Sequence, residues 1–106
     1  MKIYNLKNFK LGWIIGNFDQ SIFKTEYFEI AIKYYKKNNY DKKHTHKIAI
    51  EYTIIVNGKA KMNDKIFSKN DIIVIEPGEY TDFKALKENT ITVVIKIPSI
   101  IGDKYN

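Results

Sequence analysis

Residues 48–62 read IAIEYTIIVNGKAKM, and this stretch decides the fold. From Lys47 to Val56 the chain is dominated by β-branched and aromatic side chains, which suit pleated strands. Asn57-Gly58 follows, and both residues tolerate the positive φ angles of a type I′ turn. A second short run, residues 59–62, comes next. The pattern predicts a β-hairpin whose turn is at Asn57-Gly58.

Short apolar runs separated by turn residues extend on both sides of this hairpin. The polar segment of residues 36–43 and the Glu76-Pro77-Gly78-Glu79 tetrapeptide are typical of turns. A helical apolar period is hard to find anywhere in the chain. The predicted strands cover residues 12–16, 26–35, 47–56, 59–62, 66–67, 72–75, 80–86 and 90–97. Seven to nine short antiparallel strands with close turns predict an all-β sandwich or barrel.

Length and composition indicate one ordered domain. A chain of 106 residues has room for a single core, and 44% apolar residues exceed what a disordered chain contains. We expect the domain core over residues 26–97, with an N-terminal strand segment at 1–25 and a tail at 98–106. The absence of cysteine excludes disulfides and thiolate zinc sites. Because no apolar signal or membrane-spanning segment is visible, we expect a cytoplasmic protein.

The charge of the chain raises the question of nucleic acid. The formal net charge is +6, and all eighteen basic residues are lysines. Arginine is the usual residue for bidentate phosphate and guanine contacts, and this chain has none. The lysines are also scattered along the sequence instead of forming a stripe. These features argue against nucleic acid as the partner.

The chemistry-bearing residues of the chain lie close to the predicted hairpin. The only two histidines are His44 and His46, separated by one residue, and Glu51 follows five positions later. On a strand, residues two apart project from the same face, so both imidazoles can reach one metal ion or one substrate atom. The alternative is a solvated basic loop whose histidines bind nothing. A further alternative is a metal-free site in which the imidazoles act as acid and base.

The run from His44 through His46 and Glu51 to Gly58 resembles the first cupin motif, His-x-His, a short gap, Glu, six residues and Gly. The resemblance covers residues 26–97 and implies a small jelly-roll β-barrel. It also implies that His44, His46 and Glu51 are metal ligands on the inner face, and that Gly58 closes the hairpin. Two histidines and a carboxylate suit divalent Fe, Mn, Ni or Zn, with positions left open for water or substrate.

The second cupin motif matches only in outline. Asn70 replaces its first glycine, Glu76 replaces its proline, and Ala85 replaces its closing asparagine, while Gly78 is retained. Thr81 stands where the resemblance places a fourth ligand, a histidine. We therefore expect at most three protein ligands. Asp82 or Glu79 could add an oxygen ligand if the turn after Gly78 brings it inward, but strand alternation points Asp82 away from the interior.

Three functions remain open at this point. The first is a metal-dependent cupin enzyme acting on a polar small molecule such as a sugar or sugar nucleotide; residues 97–105 resemble the tail of small cupins associated with those pathways. The second is a metal-free sugar-nucleotide isomerase or epimerase with a histidine base. The third is a non-catalytic module that binds a small ligand.

Aromatic residues and sheet edges lead to two further expectations. Tyr34, Tyr52 and Tyr80 are candidates to line the barrel, although core or interface packing is the ordinary role of such residues. Small barrels leave strand edges exposed, so we expect a homodimer. The strand around Trp13, the only tryptophan, is a candidate for that interface.

Overall fold

A computed structural model describes residues 1–106, and ten strands account for most of its regular structure. Two three-residue 3-10 turns, Leu6–Asn8 and Lys10–Gly12, precede the first strand. Neither is long or apolar enough to cross a membrane. The strands are β1 (Trp13–Gly16), β2 (Phe23–Lys24), β3 (Glu29–Tyr35), β4 (Tyr40–Thr45), β5 (Ile50–Asn57), β6 (Lys59–Met62), β7 (Lys65–Ser68), β8 (Ile72–Ile75), β9 (Tyr80–Ala85) and β10 (Thr90–Ile97).

The strands form two sheets. The six-stranded sheet has the order β2-β1-β3-β10-β5-β8, and the four-stranded sheet has the order β4-β9-β6-β7. All strand pairs are antiparallel except β1 with β2, which are parallel over two residue pairs. The predicted all-β jelly roll is confirmed, with the short strand β2 and strand β4 added to the predicted set.

The predicted hairpin at Asn57-Gly58 is wrong, because β5 and β6 belong to different sheets and do not pair. Gly58 has a φ of 89°, and the chain passes there from the six-stranded to the four-stranded sheet. The two-residue turn with both φ angles positive is Asn63-Asp64, at 48° and 66°, between the paired strands β6 and β7. The conformational freedom of Gly58 is used at a corner between the two sheets and not in a hairpin turn.

Strand β4 is a second difference from the sequence prediction. Residues 36–43 were expected to be a turn, whereas the turn ends early and β4 begins at Tyr40. The polar composition misled the prediction because β4 lies at the edge of its sheet, with Lys42 and Lys43 exposed to solvent. Charged residues are common on such edges, where they discourage pairing with other chains.

The inner faces of the two sheets differ along their length. At one end they enclose an apolar core of six buried residues, Ile55, Ala60, Met62, Ile75, Phe83 and Ala85. The other end is polar. A cross-strand row there runs Glu29 on β3, Lys96 on β10 and Glu51 on β5. Directly paired residues of neighbouring strands share one face, so the three charged side chains of this row lie together at the polar end of the inner surface.

Candidate metal centre

The two histidines and Glu51 meet at the polar end of the inner surface. His44 lies near the end of β4, His46 follows that strand, and Glu51 is the second residue of β5. Their nearest ligand atoms all lie within 4.8 Å of one another, and the imidazole ring centroids are 5.1 Å apart. His46 and Glu51 are buried, and His44 is half-buried. The grouping predicted from the sequence motif therefore exists as a cluster that could hold a metal ion.

Backbone carbonyls orient both imidazoles. Nδ1 of His44 lies 2.8 Å from the carbonyl oxygen of Lys42, and Nδ1 of His46 contacts the carbonyl oxygen of Asp103. A carbonyl only accepts, so each Nδ1 donates its proton and the neutral ring carries its free lone pair on Nε2. Burial lowers the pKa of His44, which also favours the neutral, ligating form. Nε2 of His46 is buried and has no hydrogen-bond partner, as expected of an atom reserved for a ligand.

The carboxylate of Glu51 is also oriented by its neighbours. The Thr53 hydroxyl donates to its Oε2 at 3.0 Å, and its Oε1 lies 3.5 Å from Nε2 of His46. Burial alone would raise the pKa of Glu51, but its hydrogen-bonding neighbours and the charge of Lys96 outweigh burial and lower that pKa. The carboxyl is therefore ionised at neutral pH. Zinc-type ligand bonds of roughly 2.0–2.2 Å place neighbouring ligand atoms about 3–3.5 Å apart, so the pair fits one ion.

The carboxylate of Asp103 holds the loop that carries His46. It accepts hydrogen bonds from three successive backbone N–H groups, those of Lys47, Ile48 and Ala49, at 2.9–3.3 Å. The carbonyl of Asp103 also orients His46, as described above. The tail was expected to be irregular, and the role of Asp103 in holding this loop was not predicted. An acidic side chain within the tail was the only available signal.

Thr81, at the position of a fourth ligand, pairs directly with His44 across β4 and β9. Its hydroxyl donates to the Asp82 carbonyl at 3.1 Å. Asp82 does not join the cluster: its carboxylate accepts from the backbone of Asn63 at 2.8 Å, beside the β6–β7 turn. Three protein side chains therefore form the candidate centre, as expected. Asn70 has a φ of 79°, so it does take the left-handed turn expected at that position.

An open cavity of about 1180 Å³ adjoins the cluster. Of the three predicted tyrosines, Tyr52 and Tyr80 do not line the cavity, and Tyr34 lines it with a largely exposed side chain. Tyr35, which the sequence analysis missed, faces inward instead: its ring packs on Phe83, and its hydroxyl donates to Asp41 at 2.7 Å. Alternation along β3 turns Tyr34 outward when Tyr35 faces in.

Two lysines on the cavity wall were also missed. Lys33 and Lys96 are half-buried, and their ammonium groups lie over the ring of Trp13 at 5.2 and 4.9 Å. Trp13 thus closes part of the cavity. Lysine in a strand ordinarily indicates the solvated face, which is why these two positions were not predicted to line the cavity.

Solved structures of similar fold include three proteins of low sequence identity. KdgF from Halomonas sp. has a TM-score of 0.66 at 14% identity, over 70% of this chain and 72% of that one. A Klebsiella pneumoniae protein with a double-stranded β-helix domain has a TM-score of 0.68 at 18% identity, over 74% of this chain and 69% of that one. The DMSP lyase DddQ from Ruegeria pomeroyi has a TM-score of 0.71 at 14% identity, over 96% of this chain and 58% of that one. No protein-family profile and no curated protein sequence matches the chain. The two facing sheets and these structural neighbours together give the chain the cupin fold, the double-stranded β-helix.

Proposed function

We propose that the protein is a metal-dependent cupin enzyme that acts on a polar small molecule, with a sugar or sugar nucleotide as the first class to test. The observation that carries the proposal is that one ligand atom from each of His44, His46 and Glu51 lies within 4.8 Å of the others, beside the cavity that His44 and Glu51 line. Both rings are fixed by carbonyl acceptors, and His46 Nε2 is buried without a partner. Such a ligand set takes divalent Fe, Mn, Ni or Zn.

Each side chain of the site has a definable task in this proposal. His44, His46 and Glu51 would hold the ion, and the bound ion would polarise a substrate oxygen. Thr53 holds Oε2 of Glu51, which leaves Oε1 for the ion. Because Thr81 supplies no imidazole, a bound ion would keep a coordination position free for substrate.

The untagged protein is expected to contain close to one divalent metal ion per chain, measured by elemental analysis after gel filtration. The variant His44→Ala/His46→Ala removes two of three ligands and is expected to contain less than a tenth of that amount. Glu51→Gln is expected to weaken binding strongly, because an amide is a poorer ligand than a carboxylate. The exposed Glu26→Gln is the matched control and should retain wild-type metal content.

Two outcomes would contradict the metal proposal. The first is a wild-type protein that contains no metal and takes up none of Fe, Mn, Ni or Zn on titration. The second is equal metal content in wild type and in His44→Ala/His46→Ala. Either outcome would favour the metal-free isomerase, in which His44 serves as base. Its lowered pKa and its position on the cavity suit that role.

We also propose that the chain forms a homodimer through the outer face of its six-stranded sheet. Two cross-strand rows on that face are entirely apolar. One runs Ile32, Val93, Ile54 and Ile72, and the other runs Ile30, Ile95, Tyr52 and Val74. An apolar face of this extent is unusual on a monomer, and two copies can cover it by packing sheet on sheet. This face offers more apolar surface than the strand around Trp13.

Light scattering coupled to gel filtration is expected to give twice the chain mass of 12.5 kDa. Ile54→Lys places a charge in the centre of the proposed interface and should shift the protein to monomer. Ile66→Lys makes the same substitution at an exposed isoleucine of the four-stranded sheet and should leave the dimer intact. A wild-type monomer, or a dimer that survives Ile54→Lys unchanged, would contradict this interface.

A further inference from the structure

Lys33 and Lys96 place two ammonium groups at the cavity without carboxylate partners. The residues lie on the inner faces of the neighbouring strands β3 and β10 and are half-buried. None of the three ion pairs in the structure includes either lysine, and neither Nζ makes a hydrogen bond. Their close contact is the ring of Trp13, at 5.2 and 4.9 Å.

These positions are costly for a protein without a ligand. Burial lowers the pKa of both lysines, and nearby carboxylates only partly oppose this effect: Asp41 for Lys33, and Glu51 with Glu29 for Lys96. The desolvation of an ammonium group opposes folding when the nearby carboxylates form no close ion pair with it. An anion bound between the two ammonium groups would replace the contacts with water that they lose on burial.

At this end of the cavity three lysines face three carboxylates, so a bound cation would decide the sign of the net charge. Carboxylates at this end are Glu29, Asp41 and Glu51, while Lys104 adds a third cation close to the two inner lysines. A divalent ion held by Glu51 would remove that carboxylate from the balance. The loaded cavity would then carry a clear excess of positive charge.

We propose that Lys33 and Lys96 form an oxyanion-binding site, so that the ligand of this cavity is a small molecule bearing a carboxylate or a phosphate. Trp13 forms the wall behind this site and holds both lysine side chains in place through its ring. The proposal rests on the proposed function in taking the cavity as the ligand site, but the lysine pair does not need the metal. An uncharged polar ligand would leave both ammonium groups unpaired.

Trp13 is the only tryptophan, so its fluorescence reports on this position directly. The probes are malonate for the carboxylate class, inorganic phosphate for the phosphate class, and malonamide as the neutral counterpart of malonate. In chelator-treated protein, at least one of the two anions is expected to change the fluorescence saturably in the millimolar range. Malonamide should have no saturable effect. The anion that binds more tightly identifies the class of the group.

The variant Lys33→Met/Lys96→Met keeps the aliphatic stems and is expected to weaken the anion response at least tenfold. Removing buried charge should not destabilise it, and a thermal melt checks this. Lys65→Met, at the exposed first residue of β7, is the matched control and should respond like wild type. His44→Ala/His46→Ala should also keep the response, which separates this site from the metal. No saturable response to either anion in wild type, or an equal response in the double lysine variant, would overturn the proposal.

Discussion

Replacing Asp103 with alanine is expected to lower the free energy of unfolding by about 2–4 kcal/mol and to weaken metal binding about 10–100-fold. The carboxylate accepts three backbone N–H groups from the loop between His46 and Ile50. Alanine would leave those donors without acceptors, and Ala49 is buried. The loop would then loosen, and His46 Nε2 would no longer be held toward Glu51. Asp103 is thus a positioning residue that acts through His46.

Urea unfolding of chelator-treated protein measures the stability change, and competition with a fluorescent chelator measures the metal affinity. Asp19→Ala is the matched control, because the carboxylate of Asp19 is exposed and paired only with Lys24 on the surface. Such pairs contribute at most about 1 kcal/mol. Asp103→Asn keeps one acceptor oxygen but turns amide N–H groups toward the remaining donors, so it should lose a part of the stability that Asp103→Ala loses. Wild-type metal affinity in Asp103→Ala would show that the tail does not position His46.

The contribution of Asp103 also has a defined pH dependence. Burial alone would raise the pKa of its carboxyl, but the N–H groups of Ala49, Lys47 and Ile48 outweigh it and lower that pKa. The stabilisation is therefore complete above the unfolded pKa of about 3.9 and is lost as pH falls through the lower folded value. The stability difference between wild type and Asp103→Ala should narrow below about pH 4.

Local patterns in the sequence predicted most strands but not their partners. The strands over residues 72–75 and 90–97 have the predicted bounds because turn residues enclose each apolar run. Whether Asn57-Gly58 makes a hairpin or a corner depends on strands far away in sequence, which the local pattern does not contain. Strand β4 was missed because its polar side chains are those of an edge.

The candidate site shows the same limit. The resemblance to the first cupin motif implied that His44, His46 and Glu51 would meet, and that motif lies on one continuous piece of chain. The groups that complete the site come from elsewhere: Asp103 from the tail and Lys96 from β10. A lysine on a half-polar strand gives no sign of which face it occupies. Only the register of β10 against β3 and β5 shows that Lys96 is inside.

Gly58 stands at the corner between the two sheets, and this corner leaves no room for a side chain. A Cβ atom there would lie 2.7 Å from Cα and 2.9 Å from Cβ of Thr90, and it would overlap the Thr90 hydroxyl. Thr90 is fully buried, and its hydroxyl donates to the carbonyl of Lys87 at 2.8 Å, so it cannot move aside freely. Relief would require β6 to shift away from β10 and would open the core around Ala60.

Gly58→Ala is therefore expected to lower the free energy of unfolding by about 2–5 kcal/mol, the sum of a left-handed backbone cost of about 1–2 kcal/mol and an overpacking cost of about 1–3 kcal/mol. Gly78→Ala is the matched control: Gly78 has the same φ of 89°, but its Cβ would have no atom within 4 Å. The free energy of unfolding of Gly78→Ala should fall only by the backbone cost, about 1–2 kcal/mol. Urea unfolding of the two variants measures the difference, which isolates the contact with Thr90. Equal losses in both variants would mean that backbone conformation alone selects glycine at the corner, and that the sheets can separate there without cost.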